Sequence, residues 1–289
     1  MALALPEAEI SVWLPGAPQA DIAIVWAPPQ QFIDEQCGGL RAMFNIGAGV
    51  DALLALRLPP NLLLVRLDDA GMAVQMAEYV CQAVIRHFRE LDCYERDIKA
   101  GLWSFRKPLE RADFPVGVLG LGVLGTRVLS ALQSFEFPVC GYSRSAKTIP
   151  GVRCFAGLSE LPEFLRSSRV LVNLLPLTPE TENILNFALL SQLQPGAYLI
   201  NVARGAHLVD ADLLRLLEDG HMAGATLDVF RSEPLPAEHP FWQQHKISIT
   251  PHTSARTIRD QSIAQIIRKI RALERGEAIA GVVDVVRGY

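Results

Sequence analysis

The sequence has little that would staple it, anchor it or charge it strongly. Its five cysteines, at 37, 81, 93, 140 and 154, form no C-x-x-C pair and no cluster with histidine. That excludes a disulfide framework and a zinc knuckle, leaves no metal ligand set, and predicts free thiols in a reducing cytoplasm. There is no run of basic residues and no basic strip interleaved with aromatics; 27 Lys and Arg against 31 Asp and Glu give a net charge of −4. Nucleic acid is therefore not an expected partner. No apolar stretch approaches the ~20 residues of a membrane span. The opening MALALPEAEI has no charged n-region and is not expected to act as a signal peptide. Internal repeats and low-complexity tracts are also missing.

What is present is apolar side chain: half of the 289 residues are hydrophobic, enough for a large core without cross-links. The length suits two domains. Over 10–68, apolar runs at 10–14, 21–26, 42–46 and 62–67 alternate with turn clusters such as Pro28-Pro29, Gly38-Gly39 and Pro59-Pro60. This predicts a small α/β unit. Residues 71–91 place Met76, Val80, Val84, Phe88 and Leu91 three or four apart, the spacing of a long amphipathic helix. Residues 92–114 are polar and aromatic and read as a linker. From Pro115 the rhythm is cleaner. Strands are expected at 116–119, 139–142, 170–174, 198–202, 225–229 and 247–250, with helical patterns between them, as at 123–135. Alternation of this kind implies a doubly wound parallel sheet. A last helix at 254–275 is expected to return the chain to the first domain, which becomes discontinuous.

The most informative segment is VGVLGLGVLG at 116–125, an apolar strand running into Gly120-x-Gly122-x-x-Gly125 and a helix. Gly120 suits a tight turn, Gly122 a close approach of backbone to pyrophosphate, and Gly125 close packing of helix on strand. The N–H groups from Gly122 through Val123 and Leu124 to Gly125 would face a phosphate at the helix N-terminus. A site for NAD expects an acid about 20 residues on, at the end of the next strand. This chain reads Ser143-Arg144-Ser145-Ala146-Lys147 there. With no acid, and with Arg144 and Lys147 able to pair with a 2′-phosphate, NADP(H) is expected over NAD(H).

Three further phrases each follow a predicted strand: Asn201-Val-Ala-Arg204-Gly205, Leu227-Asp228-Val-Phe230 with Glu233-Pro234, and Thr250-Pro251-His252. Ligands of doubly wound sheets bind at those strand ends. Reducing a 2-keto acid needs a hydride on the carbonyl carbon and a proton on its oxygen. A histidine supplies the proton near neutral pH, a carboxylate beside it holds the ring and favours its charged form, and an arginine fork grips the substrate carboxylate and polarises the carbonyl. His252, Glu233 and Arg204 suit these three roles. Taken one at a time, each also suits a packed or salt-bridged loop position; it is their joint order that carries the chemistry.

These phrases, with Ile46-Gly-Ala-Gly-Val-Asp51, Gln75-Met-Ala-Glu-Tyr79, Asn173-Leu-Leu-Pro-Leu-Thr-Pro-Glu180 and the terminal Arg287-Gly-Tyr289, make the chain resemble the D-isomer-specific 2-hydroxyacid dehydrogenases over nearly its whole length. Within them it is most similar to the A-type glyoxylate/hydroxypyruvate reductases. The resemblance implies a Rossmann-type NADP-binding domain at 94–265 and a smaller, discontinuous, flavodoxin-like α/β substrate domain at 1–93 and 266–289. It implies an NADPH-preferring cytoplasmic reductase of glyoxylate and hydroxypyruvate. The other readings are an NAD-linked dehydrogenase of a bulkier D-2-hydroxy acid and a non-catalytic, nucleotide-sensing relative. It further implies that backbone N–H groups of Ala48, Gly49 and Val50 join Arg204 and His252 in binding substrate. Ser143, Ser145, Leu175, Pro176, Leu177, Val202 and Ala203 would line the cofactor, and Asp228 would bond the nicotinamide carboxamide. The helix at 72–88 would bridge the domains and build a homodimer, with Trp103 reaching an active site in it. Relatives of this type would also open with a strand and helix ahead of 9–14, that strand being central in the substrate-domain sheet. Where it is missing, unpaired ladder groups and an open apolar face are expected.

Overall fold

A computed structural model of the chain describes residues 5–285, 287 and 288; of the terminal Arg287-Gly-Tyr289 phrase, Tyr289 lies outside the described residues. The chain forms two compact units, Met1–Met72 with Arg256–Tyr289, and Ala73–Ala255. Both are α/β.

The first unit has a three-stranded parallel sheet of β1 (Ile22–Val25), β2 (Ala42–Asn45) and β3 (Leu63–Val65), in the order β1-β2-β3. Alternation along β2 sends Ala42 and Phe44 to one face and Met43 to the other. Met43 packs with Phe32 and Ile33 of α1 (Gln30–Gln36) and Leu53 of α2 (Asp51–Leu54). Phe44 packs with Ile266 and Ile270 of α9 (Arg259–Glu274). The returning helix thus closes the second face, as the sequence predicts, although it begins at Arg259 and not at 254. The run at 10–14 is not a strand. Ile10, Val12 and Leu14 are exposed, and β1, with Ile24 and Trp26 also exposed, is an edge strand with no neighbour on its outer side among the described residues. An extended segment needs a ladder partner to become a strand, and 10–14 has none among the described residues.

The second unit is a seven-stranded parallel sheet: β4 (Val116–Leu119), β5 (Val139–Ser143), β6 (Arg153–Ala156), β7 (Val170–Asn173), β8 (Ala197–Asn201), β9 (Met222–Leu227) and β10 (Ile247–Ile249). Their order is β10-β9-β8-β7-β4-β5-β6, so the winding reverses at β4. Helices α6 (Gly157–Arg166), α7 (Phe187–Leu190) and α8 (Asp210–Glu218) cover one face, and α3 (Met72–Phe88) and α5 (Val123–Ser134) the other. Strands covered on both sides read as continuous apolar runs, and every residue of β4 and β7 is buried.

Three features differ from expectation. The boundaries expected at 93/94 and 265/266 fall at 72/73 and 255/256, because α3 packs Met76, Val80, Val84 and Phe88 against Val116, Leu129 and Val170 in the core of the second unit. The supposed linker contains α4 (Leu91–Lys99), a short helix with no buried residue; its Leu91, Tyr94 and Ile98 share one face but sit among charged residues, and the Asp92–Arg96 pair one turn apart helps it. Strand β6 went unpredicted because it is a short edge strand with only Phe155 fully inside.

Candidate active site

The glycine loop leaves β4 next to the reversal of strand order. Gly120 has φ +100°, and a side chain there would lie 2.6 Å from the Leu174 carbonyl oxygen beyond β7. A Cβ at Gly125 would lie 1.9 Å from the Gly120 carbonyl oxygen, so the first turn of α5 closes directly onto the loop. Gly122 has nothing within 4 Å of the place its Cβ would take. This is a cradle kept open at the N-terminus of α5, where the N–H groups of Val123, Leu124 and Gly125 have no earlier helical carbonyl to bond. At the end of β5, Ser143 donates from Oγ to the Ser145 carbonyl at 2.8 Å and fixes the turn. Arg144, Ser145 and Lys147 are exposed on it, and Lys147 Nζ donates to the Leu121 carbonyl of the glycine loop. Across from them the Glu180 carboxyl is held below its ordinary value, first by a hydrogen bond from Thr178 and in smaller part by Arg144. An open pyrophosphate cradle beside two cations, with no carboxylate ending β5, fits a dinucleotide carrying a 2′-phosphate.

The ends of β7 and β8 are tied by a buried polar knot that the sequence reading missed. Asn173, Asn201 and His207 are all fully buried. Asn173 Nδ2 donates to Asn201 Oδ1 at 3.0 Å and to His207 Nδ1 at 2.9 Å. His207 Nε2 must then carry the proton, and it donates to the Pro176 carbonyl at 3.2 Å. Asn173 Oδ1 accepts from Leu175 N–H, and Asn201 Nδ2 donates to the Arg204 carbonyl. The turn at Leu175, Pro176 and Leu177, expected to line the cofactor, and the strand end at Val202, Ala203 and Arg204 are therefore set by one network. Val202 and Ala203 are buried, with Val202 in the core, so only their backbone is offered. The signal available in the sequence is a histidine two residues after Arg204-Gly205.

Arg204 is half-buried, and its Nη1 donates to the Ala203 carbonyl at 2.7 Å. Gly205 brings the next loop against it, since a Cβ there would stand 1.8 Å from the Phe230 carbonyl carbon. Phe230 N–H in turn donates to Glu233 Oε1 at 2.9 Å, and Glu233 Oε2 meets His252 Nδ1 at 2.8 Å. With Nδ1 bonded to the carboxylate, Nε2 is the nitrogen left to act on a ligand. Thus one chain of close approaches joins the three predicted residues. Arg231, which the sequence reading passed over, bonds Glu182, Asn183 and the carbonyls of Ala206 and Leu208, lacing the same loops together.

Asp228, expected at the nicotinamide carboxamide, is bonded within the protein. It is fully buried, and its carboxylate is used from inside: Oδ1 accepts from Thr250 Oγ1 at 2.5 Å and Thr253 N–H at 2.8 Å, and Oδ2 from Ser254 N–H at 2.8 Å. It grips the loop carrying His252, whose own N–H donates to the Asp228 carbonyl. His252 sits at φ +52°, a left-handed conformation that a non-glycine residue keeps only when its surroundings impose it.

In the first unit, Asn45 Nδ2 donates to the carbonyls of Gly47 and Gly49 at 3.1 and 2.7 Å, pinning the Ala48-Gly49-Val50 turn ahead of α2. The Trp26 ring occupies the place of a Gly47 side chain. Trp103 is fully exposed. Among the described residues no group of three His, Cys, Asp or Glu side chains is arranged to hold a metal ion, and no helix is long and apolar enough to cross a membrane.

A family model described as D-isomer specific 2-hydroxyacid dehydrogenase, NAD binding domain, matches residues 81–254. A glyoxylate/hydroxypyruvate reductase A of Serratia proteamaculans is 48% identical over 99% of this chain and 93% of its own length, and one of Yersinia enterocolitica is 46% identical with the same coverage. Among solved structures, a D-isomer specific 2-hydroxyacid dehydrogenase of Xanthobacter autotrophicus Py2 in complex with NADPH and MES is 40% identical at TM-score 0.94, covering all of this chain and 93% of that one. The NADPH-dependent glyoxylate/hydroxypyruvate reductase of Sinorhizobium meliloti, in complex with NADP and sulfate, is 36% identical at TM-score 0.89 over 93% and 86% of the two chains. Sequence phrases, strand order and relatives agree, and the chain belongs to the D-isomer-specific 2-hydroxyacid dehydrogenase family.

Proposed function

We propose that this NAD(P)-dependent dehydrogenase works as a reductase of small 2-keto acids, with glyoxylate and hydroxypyruvate as first substrates, NADPH preferred over NADH, and D-products where the product is chiral. The observation that carries this reading is the 2.8 Å pair of His252 Nδ1 with Glu233 Oε2, in loops that leave the same C-terminal ends of the sheet as the open glycine cradle. The reductases it is similar to carry the same activity in their names. Gly120, Gly122, Val123, Leu124, Gly125 and the Ser143–Lys147 turn would hold the dinucleotide, which supplies the hydride when bound. His252 donates the proton to the carbonyl oxygen from Nε2, and Glu233 fixes its ring. Arg204 grips the substrate carboxylate and steadies charge growing on the carbonyl oxygen. Ala48, Gly49 and Val50 are assigned backbone N–H contacts to a carboxylate.

We further propose a homodimer acting in the cytoplasm. Helix α3 spends its apolar face inside its own unit, so the surface for a second copy is sought on Ile98, Leu102, Trp103 and Phe105, all exposed. Sedimentation equilibrium should give twice the chain mass; a monomer at micromolar concentration would remove this part. The activity is tested by initial rates of NADPH and NADH oxidation on glyoxylate, hydroxypyruvate and phenylpyruvate. Faster NADPH oxidation on the two small acids is expected. Preference for NADH and phenylpyruvate would favour the bulkier-substrate reading, and no turnover by folded protein a binding role.

A further inference from the structure

The phrase Gln75-Met-Ala-Glu-Tyr79 lies on α3, away from the loops that carry Arg204, Glu233 and His252 in sequence, and the mechanism above gives it nothing to do. Its tyrosine nevertheless ends on the catalytic loop. Tyr79 Oη lies 2.5 Å from Thr250 Oγ1, and Thr250 Oγ1 lies 2.5 Å from Asp228 Oδ1. The order of donors follows from valence. Thr250 Oγ1 donates to Asp228 Oδ1, which uses its single hydroxyl proton, so Tyr79 must donate to Thr250. Burial pushes the Tyr79 phenol up to about 12, which keeps it a donor throughout the neutral range. The chain then runs from Tyr79 through the Thr250 hydroxyl to the Asp228 carboxylate. From there it reaches the N–H groups of Thr253 and Ser254, which directly follow the left-handed backbone of His252.

We infer that Tyr79 is a positioning residue for His252, acting from helix α3 through Thr250 and Asp228 to hold the histidine loop in the conformation that pairs Nδ1 with Glu233. The inference rests on the reading of His252 as proton donor. Its physical content is simple. A left-handed non-glycine residue relaxes unless its flanking amides are held. A buried carboxylate holds two amides in register only while its own remaining contacts fix it in place. Removing the phenol oxygen leaves the Thr250 hydroxyl free to rotate away from Asp228, and the imidazole then samples positions off the Glu233 line.

The test uses Tyr79→Phe, Thr250→Val and Thr250→Ser in the full chain, with His252→Asn to assign the His252 imidazole nitrogens in 15N-histidine spectra. In Y79F and T250V the His252 nitrogen shifts should move toward those of a ring without its carboxylate partner. In both, kcat on glyoxylate should fall about three- to tenfold with the KM for NADPH unchanged. T250S, which keeps the hydroxyl, should return to within about twofold of the parent. The double variant Y79F/T250V should lose no more than T250V alone, since both sit on one chain. Should T250V fail to give a cooperative melt, Y79F, which deletes a single oxygen, decides the matter. Unchanged His252 nitrogen shifts in the folded variants would overturn the inference whatever the rates do. Moved shifts with unchanged rates would uphold the positioning role and withdraw His252 as proton donor, so the two failures are told apart.

Discussion

At the scale of the residue, the side chains proposed as catalytic are held in place by named partners. Glu233 has both oxygens engaged, one by Phe230 N–H and the other by His252, so it is a braced partner and not a mobile loop acid. His252→Ala should lower kcat by about 10²–10⁴ while NADPH binding, followed by cofactor fluorescence, stays within about twofold; near-normal turnover would remove His252 from its role. Arg144 is the residue on which cofactor choice is argued. Arg144→Ala removes one charged contact to a 2′-phosphate and should raise the KM for NADPH about tenfold or more, leaving that for NADH unchanged. A parallel loss with both cofactors would mean that Arg144 only shapes the turn. Arg204, Glu233 and His252 were legible in the sequence because each sits in a short phrase directly behind a predicted strand. His207 was not. Its partners Asn173 and Pro176 lie 34 and 31 positions away, and nothing local distinguishes a buried, satisfied histidine from an exposed one.

At the scale of the element, the decisive events are close approaches between loops that leave neighbouring strands. Gly205 has an ordinary backbone conformation, so its lack of a side chain serves proximity alone: the Phe230 backbone occupies the space. Gly205→Ala should therefore cost about 1–3 kcal/mol in stability by urea unfolding. It should depress kcat more than the KM for NADPH, because the displaced segment carries Glu233 and not the glycine cradle; a variant of parental stability and turnover would refute the tight contact. Gly122 makes the opposite case, glycine in open space, where the absent side chain leaves room for a ligand. The strands of the second unit were readable because burial on both faces writes a continuous apolar run. Helix α4 and strand β6 were hidden for the complementary reason. One is a short, charge-rich helix whose Leu91, Tyr94 and Ile98 stripe buries nothing, and the other is a short edge with a single buried residue, so neither writes the apolar run by which the core elements are read.

At the scale of the whole molecule, stability should carry an acid limb that originates at His87, outside the residues proposed as catalytic. His87 on α3 stacks on Tyr198 with ring centroids 4.0 Å apart and packs near Phe114. Burial brings its pKa down to about 4 from the ordinary 6.5; Asp92 opposes the shift and Arg169 adds to it. The folded pKa lies below the unfolded one, so the unfolded chain takes up the proton first. The contribution is present above pH 6.5 and is drawn down as pH falls toward 4. His87→Phe keeps a ring on Tyr198 and should flatten that limb by on the order of 2 kcal/mol between neutral pH and pH 4, read from urea midpoints. Equal acid limbs in the two proteins would show that His87 is not its source. By itself the sequence determined the class of architecture and the dinucleotide loop with its 2′-phosphate chemistry, and it singled out Arg204, Glu233 and His252 as the candidate residues. All of these are written in local period, turn chemistry and short phrases at strand ends. Only the tertiary structure decided that α3 belongs to the core of the second unit, that Asp228 faces inward to hold the histidine loop, and that Asn173, Asn201 and His207 tie two ligand-side turns into one knot. Those are pairings between residues tens of positions apart. They are set by strand register and by the need of the buried Asn173, Asn201 and His207 groups for partners, met only once the sheet has brought their strand ends together.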